Sequence, residues 1–227
     1  MTTAALAVER HYAITRDAVP LVVARFVCHQ PRRACLLLSD PALDRSFWMR
    51  GAPSAIEHLL GRGCEVFVAE LRGCGLSAAA GAPTARRLHD HVALDVPALV
   101  AAIRRLSTPL PLYGVGHRRA ATLALNAGGF DGVVGLDAAP LPGMAAGAGA
   151  SVALLVAGAD DARAQRDGRE LAALFGARQG EVHTAASRRS GLIVDGEAAR
   201  ALWSKVVAWL DAAARPATPD LVDAGSG

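Results

Sequence analysis

The sequence has 227 residues and a formal net charge of +3, and 52% of it is hydrophobic but only 4% aromatic. A chain of this length can bury a substantial core within one domain. Lys205 is the only lysine, and no basic run is interleaved with aromatic residues, so we expect no nucleic-acid partner. No apolar run reaches the roughly 18 residues of a membrane span, and no signal peptide is evident at the N-terminus. The sequence therefore predicts a cytoplasmic protein without a membrane partner.

The cysteines carry no recognisable ligand pattern. Cys28, Cys35, Cys64 and Cys74 show no C-x-x-C spacing, and no His/Cys cluster accompanies them. A free cysteine in a strand is usually a small buried apolar residue. We therefore predict no metal site and no cofactor.

The first half of the chain alternates strand and helix signals. A hairpin is predicted around Asp17-Ala18, and two continuous apolar runs then indicate strands buried on both faces. A long amphipathic helix follows, and Pro97 within it predicts a kink or a break. The predicted elements are strands over 11–16, 21–29 and 34–39, a helix over 54–60, a strand over 64–69 and a helix over 84–106.

The second half continues the alternation and completes the predicted fold. Its elements are a strand over 110–115, a helix over 118–127, strands over 132–136 and 152–157, a helix over 162–175, a strand over 181–185 and a helix over 197–214. We expect residues 1–8 to form a lead-in, residues 9–215 a single domain and residues 216–227 a disordered tail. The pattern predicts an α/β fold with a mostly parallel sheet of about eight strands and helices on both faces.

The segment from Leu110 to Leu125 combines a short apolar strand, a tight glycine turn and a helix of small residues. This is the layout of a nucleophile elbow, the G-x-S-x-G turn that presents a serine above an α/β sheet. The turn reads Val115-Gly116-His117-Arg118-Arg119-Ala120-Ala121 and resembles the Val-Gly-His-Ser-x-Gly-Gly run of the α/β-hydrolase superfamily. Arg118 stands at the nucleophile's position. A register shifted along the turn places Gly116 there, which supplies no side chain either.

Two further segments support this resemblance. The run Glu70-Leu71-Arg72-Gly73-Cys74-Gly75-Leu76-Ser77 is similar to the Asp-x-Arg-Gly-x-Gly-x-Ser run of many of these hydrolases, whose arginine braces neighbouring loops. The run Gly158-Ala159-Asp160-Asp161 resembles the turn that presents the triad acid. Asp161 is the aligned carboxylate, and Asp160 is the alternative if the turn slips by one residue.

The remaining family positions depart from the pattern. The run Arg188-Arg189-Ser190-Gly191-Leu192 resembles the Gly-His-x-Gly loop, with Arg189 in the place of the catalytic histidine. Ser39-Asp40 replaces the His-Gly pair of the oxyanion loop. The resemblance implies the α/β-hydrolase fold, and the short segment between strands 132–136 and 152–157 implies no sizeable cap domain.

These replacements remove the chemistry of a serine triad, which needs a hydroxyl and an imidazole that accepts its proton. Arg118 offers no nucleophile, and Arg189 cannot act as a base because guanidinium stays protonated. Asp40 near the oxyanion position would repel a developing negative charge. The sequence thus predicts a degenerate triad at Arg118, Asp161 and Arg189.

The same residues define the predicted ligand site, which is arginine-lined and suited to a small anion. Its predicted members are Ser39, Asp40, His117, Arg118, Arg119 and Arg189. In an alternative interpretation, the ion pairs Asp161–Arg189 and Asp40–Arg118 fill a retired site.

Three functions remain open on the sequence. The first is a pseudoenzyme that binds an anionic ligand or a protein partner. The second is a repurposed lyase, isomerase or cyclase, such as one in a biosynthetic pathway, which rests on fold analogy. The third is an esterase or thioesterase with a relocated nucleophile, Ser39 or Ser190.

Overall fold

The structure, a computed structural model, describes residues 7–51, 53–85, 87–107, 109–141, 153–158, 161–174, 180–185 and 196–213. Eight strands form one sheet. They are β1 (Val8–Ile14), β2 (Pro20–Phe26), β3 (Arg33–Leu38), β4 (Cys64–Ala69), β5 (Leu112–His117), β6 (Gly132–Leu136), β7 (Ala153–Gly158) and β8 (Gly180–Ala185). Their order in the sheet is β1-β2-β4-β3-β5-β6-β7-β8. The pairs β1–β2 and β2–β4 are antiparallel, and every other pair is parallel.

The helices follow the predicted alternation except the one over Gly75–Ala79, which lies between the predicted strand over 64–69 and the predicted helix over 84–106. They are α1 (Ala55–Leu60), α2 (Gly75–Ala79), α3 (Leu88–Asp90), α4 (Val96–Leu106), α5 (Arg119–Ala127), α6 (Ala162–Leu174) and α7 (Gly196–Ala213). A 3-10 helix over Arg45–Met49 lies in a segment for which the sequence predicted no helix. The predicted mostly parallel sheet of about eight strands with flanking helices is confirmed, and no cap domain is present in the described part of the chain.

The helix predicted over 84–106 begins later and contains a different interruption. Its first residue is Leu88, because the Asp90 carboxylate accepts a hydrogen bond from the Arg87 N–H at 3.0 Å and fixes the start there. The turn over His91–Asp95 is a π-helix, directly before α4. Pro97 donates no backbone hydrogen bond and crowds the carbonyl of the preceding turn, and the wider π turn makes room for it.

Each face of the sheet carries its own apolar core. On one face, Leu99 and Ile103 of α4 and Leu123 of α5 pack with strand residues such as Leu36. On the other face, Ile56 of α1 and Trp203 of α7 pack with a second set of strand residues. Burial on both faces explains why β3, β4 and β5 are mostly apolar in sequence.

The turn after β4 is held by a buried ionic network. The Arg72 guanidinium donates to the Asp95 carboxylate (Nε to Oδ1, 2.7 Å) and to both oxygens of Asp17 (2.7 and 3.0 Å). The Nδ1 atom of His91 lies 2.7 Å from Asp95 Oδ2. Arg72, His91 and Asp95 are buried. The arginine thus joins the β1–β2 hairpin, the β4 turn and the π-helix, as the family resemblance implied.

Candidate ligand site at the elbow

The elbow predicted from the sequence is present at the end of β5. Arg118 connects β5 to α5 with φ 53° and ψ −120°, a conformation that is strained for a residue with a side chain. Its N–H donates to the Leu136 carbonyl of β6 at 2.8 Å. A Cβ atom on Gly116 would lie 2.4 Å from the backbone N and Cα atoms of Ala121. Strand and helix therefore approach each other closely because Gly116 has no side chain.

A cavity of about 340 Å³ lies above this turn. It is lined by His117, Arg118, Asp137, Ala139, Asp161, Arg163, Ala164 and Asp167. Arg118 and Asp137 both line it with positive φ values, 53° and 48°. Strained backbone of this kind concentrates at binding and catalytic sites, because surrounding structure must hold it in place. The cavity also lies at the carboxyl ends of parallel strands, where open α/β sheets bind their ligands.

The charges around the cavity are mixed. Arg118 is exposed, and no ion pair within the described ranges includes it. Asp161 Oδ1 accepts hydrogen bonds from the N–H groups of Arg163 (3.1 Å) and Ala164 (3.0 Å), so this carboxylate caps the start of α6. Arg163 Nε lies 3.7 Å from Asp167 Oδ2. The lining therefore combines the exposed Arg118 guanidinium with carboxylates on the α6 side and with Asp137 after β6.

Asp40 pairs with Arg119, and the alternative pairing of Asp40 with Arg118 is wrong. The Arg119 side chain donates to both carboxylate oxygens (Nε to Oδ2, 3.0 Å; Nη2 to Oδ1, 2.6 Å), and its backbone N–H lies 3.4 Å from Oδ2. Burial by itself raises the pKa of Asp40, but the hydrogen bonds from Arg119 and from the Ala42 N–H hold that pKa below its usual value. The carboxylate is therefore ionised and firmly held.

The three residues after Asp40 offer no free amide to a ligand. Pro41 has no N–H, the Ala42 N–H donates to Asp40 Oδ1 at 3.0 Å, and the Leu43 N–H donates to the Asp40 carbonyl at 2.7 Å. In a serine hydrolase of this fold, the oxyanion hole consists of an N–H from this loop and the N–H of the residue after the nucleophile. Here the N–H groups of Ala42, Leu43 and Arg119 all point to oxygen atoms of Asp40.

His117 lies beneath the cavity and is 5% exposed. Its ring stacks on Phe47 with centroids 4.5 Å apart, and its buried Nδ1 atom has no hydrogen-bond partner among the described residues. Burial lowers the pKa of the His117 imidazole to about 4. The ring is therefore neutral at pH 7 and packs as part of the cavity floor.

We expect His117 to make stability depend on pH. The unfolded chain binds a proton near pH 6.5, whereas the folded chain does so only near pH 4, so acid favours unfolding within this interval. From pH 7 to pH 4, His117 should lower the free energy of unfolding by about 3 kcal/mol. Urea titrations at several pH values should show this part of the loss disappear in His117→Phe and persist in His89→Gln, an exposed control. Equal pH slopes in His117→Phe and the unmodified chain would contradict the assignment.

The other predicted site residues fall into two groups. Ser39 is buried, and its hydroxyl donates to the Asp44 carbonyl at 3.3 Å, so no base activates it in the described part of the chain. Asp160, Arg189 and Ser190 lie outside the described residues.

The sequence reasoning missed Asp137, although it directly follows β6 and parallel strands end at one edge of the sheet. It also missed Arg163 and Asp167, which lie one turn apart on α6.

The fold is that of known hydrolases. An esterase from Pyrococcus furiosus, Pf2001, has 15% sequence identity and a TM-score of 0.69 over 91% of this chain and 93% of its own. A soluble variant of Saccharomyces cerevisiae monoglyceride lipase has 12% identity and a TM-score of 0.68, covering 95% and 97%. XC6422 from Xanthomonas campestris, an a/b serine hydrolase without a lid, has 13% identity and a TM-score of 0.65, covering 96% and 100%.

These similarities establish that the chain has the α/β-hydrolase fold. No family model matches the sequence, and neither does any curated protein. Within the described ranges, no helix has the length and hydropathy needed to cross a membrane. The same ranges contain no group of three or more His, Cys, Asp or Glu side chains arranged to hold a metal ion.

Proposed function

We propose that this protein does not hydrolyse esters and that its elbow cavity binds a small anionic ligand at Arg118. The observation that carries the proposal is the exposed guanidinium at the nucleophile position, on a strained turn above a cavity of about 340 Å³. Cavities of this size accommodate small molecules. An arginine there binds a carboxylate or a phosphate through two parallel hydrogen bonds.

The absence of hydrolysis follows from three chemical requirements. Acyl transfer needs a nucleophile, a proton acceptor and donors for the oxyanion. Arg118 supplies no nucleophile, and the aligned base position holds Arg189, which stays protonated. The Arg119 N–H faces the Asp40 carboxylate, which repels a second negative charge at that amide.

The cavity lining carries charges of both signs. Asp161 and Asp167 approach the cavity from α6, whereas Asp137 follows β6 on the side of the elbow, next to the Leu136 carbonyl that accepts the Arg118 N–H. A ligand's negative group is therefore attracted to the Arg118 guanidinium and repelled by these three carboxylates.

The proposal is tested by binding and by turnover. We expect calorimetry with phenyl phosphate and benzoate to detect binding, and Arg118→Gln to weaken it at least tenfold because a charge-assisted bidentate contact is lost (on the order of 1.5–3 kcal/mol). Arg105→Gln, an exposed arginine on α4, is the matched control and should bind as the unmodified chain does.

Turnover measurements complete the test. We expect no hydrolysis of p-nitrophenyl esters or thioesters by the unmodified chain or by Arg118→Ser, since a serine alone restores neither the base nor the oxyanion donors. Ester hydrolysis that is lost in Arg118→Ala would overturn the non-hydrolytic proposal. Equal affinity of the Arg118→Gln and Arg105→Gln variants for both anions would overturn the ligand site.

A further inference from the structure

The outer edge of the sheet, formed by β1, exposes apolar side chains. It is the terminal strand of the sheet, and Val8, Tyr12 and Ile14 on one face of it are 52%, 52% and 60% exposed. Soluble proteins commonly protect such edges with charged side chains, proline or a bulge. β1 contains no proline, and its pairing with β2 runs from Val8↔Phe26 to Ile14↔Pro20 without interruption. Its two charged residues are Glu9, which pairs with Arg25 of β2 at 3.0 Å, and Arg10.

The backbone groups that point outward from this edge belong to the even-numbered residues of β1, which include Val8, Tyr12 and Ile14. The Val27 N–H donates to the Ala7 carbonyl (3.2 Å), and the Thr15 N–H donates to the Val19 carbonyl (3.0 Å), so odd-numbered residues of β1 direct their backbone groups toward β2. Hydrogen-bonded and non-hydrogen-bonded pairs alternate along an antiparallel ladder. The N–H and C=O groups of residues 8, 10, 12 and 14 therefore point away from the sheet.

We propose that two copies of this chain associate by antiparallel pairing of their β1 strands, about a two-fold axis at His11. This register places Val8 of one copy opposite Ile14 of the other, and Arg10 opposite Tyr12. All four outward-facing residues then find hydrogen-bonding partners, and the interface is isologous, as the commonest dimers are. It extends the eight-stranded sheet of each copy into one sheet across the dimer.

The two neighbouring registers are less complementary. Pairing centred on Arg10 places that cation directly opposite itself, which is destabilising. Pairing centred on Tyr12 places Val8 opposite Arg16, which lies beyond the end of β1. The register centred on His11 instead pairs two aliphatic residues and sets a guanidinium beside an aromatic ring.

The surface next to Val8 is also suited to an apolar partner. Val8 lines a cavity of about 170 Å³ whose other lining residues are apolar except Arg45, and they include Phe26, Met49 and Ile56. Met49 is 53% exposed, so this apolar patch continues from β1 onto the 3-10 helix. The other copy's Ile14, opposite Val8, therefore meets apolar surface instead of water, which favours association.

A cysteine placed on the two-fold axis tests the register. His11 faces its own copy in a non-hydrogen-bonded pair, where the Cα atoms are about 4.5 Å apart and a disulfide can form. We expect His11→Cys to give a disulfide-linked dimer under mild oxidation. Glu9→Cys should not, because the two substituted positions lie about four residues apart along the paired strands. The unmodified chain gives the background from its native cysteines.

The association itself is tested by mass and by a matched pair of charges. We expect light scattering to give twice the 23.4 kDa of one chain at micromolar concentration. Tyr12→Lys opposes Arg10 of the other copy and should shift the protein to monomer, whereas Tyr12→Glu faces the same arginine with opposite charge and should remain dimeric. Circular dichroism melts establish that both variants fold. A monomeric mass for the unmodified chain, equal behaviour of the two Tyr12 variants, or equal crosslinking at positions 9 and 11 would overturn the proposal.

Discussion

Replacing Arg72 with alanine is expected to lower the free energy of unfolding by about 3–5 kcal/mol. Arg72 is 6% exposed and bonds to both Asp17 and Asp95, and Asp95 is fully buried. Without the guanidinium, the Asp95 carboxylate stays in the protein interior with much of its charge uncompensated. The hydrogen bonds from Arg72 also hold the pKa of Asp17 well below its ordinary value. The variant therefore also loses the stabilising interaction between Arg72 and the ionised Asp17. Chemical denaturation at pH 7 measures the loss.

Two comparisons make this prediction specific. Arg104→Ala removes an exposed pair with Asp131 (3.2 Å) and exposed hydrogen bonds to the Gly129 carbonyl (2.8 and 3.3 Å), and it should cost less than about 2 kcal/mol. The double variant Arg72→Met/Asp95→Asn removes the buried Asp95 carboxylate charge together with the guanidinium that pairs with it. It should therefore recover part of the lost stability. If Arg72→Ala is no more destabilising than Arg104→Ala, the network does not support the turn as described.

The Gly116→Ala variant is expected to lose about 3 kcal/mol of stability or more, although it adds one methyl group. The added Cβ would lie 2.4 Å from backbone atoms of Ala121 and 2.8 Å from the carbonyl carbon of Ala120. No side-chain rotation relieves a contact with backbone, so α5 must move away from β5. The displacement also disturbs Arg118 at the head of the helix.

A matched glycine separates this steric effect from a general effect of alanine. Gly61 ends α1 with φ −62°, and an added Cβ there meets the Glu57 carbonyl at 3.3 Å. Gly61→Ala should therefore change stability by less than about 1 kcal/mol. Thermal unfolding of both variants measures the contrast, and equal melting temperatures would show that the elbow is not closely packed. Phenyl phosphate binding should weaken in Gly116→Ala alone.

Much of the architecture could be predicted because it depends on local patterns. The strand over 64–69 was predicted with the observed bounds, since a short and mostly apolar run follows the glycines at 61 and 63. The elbow was predicted because Gly116 and the small residues of α5 allow the close approach of strand and helix. The start of α3 was missed because the Asp90 cap, rather than the apolar periodicity, determines it.

The site was less predictable, because its contacts join distant parts of the chain. Arg118 and Arg119 are adjacent, and the sequence does not indicate which of them meets Asp40. In the structure the strained Arg118 lines the cavity, while Arg119, the first residue of α5, faces the loop after β3. Arg118 and Asp161 line one cavity, as expected, and the role of Arg189 stays a prediction.

The pairing of Asp40 with Arg119 has a consequence for competition between ligands. Because Asp40 is tethered only a short loop away, its effective concentration at the Arg119 amide greatly exceeds that of any free anion. A dissolved carboxylate or phosphate would have to displace the Asp40 carboxylate, which the chain holds beside this amide. The Asp40 carboxylate thus acts as an intramolecular competitive inhibitor at that amide. An incoming anion can therefore bind only on the side of the elbow where Arg118 lines the cavity.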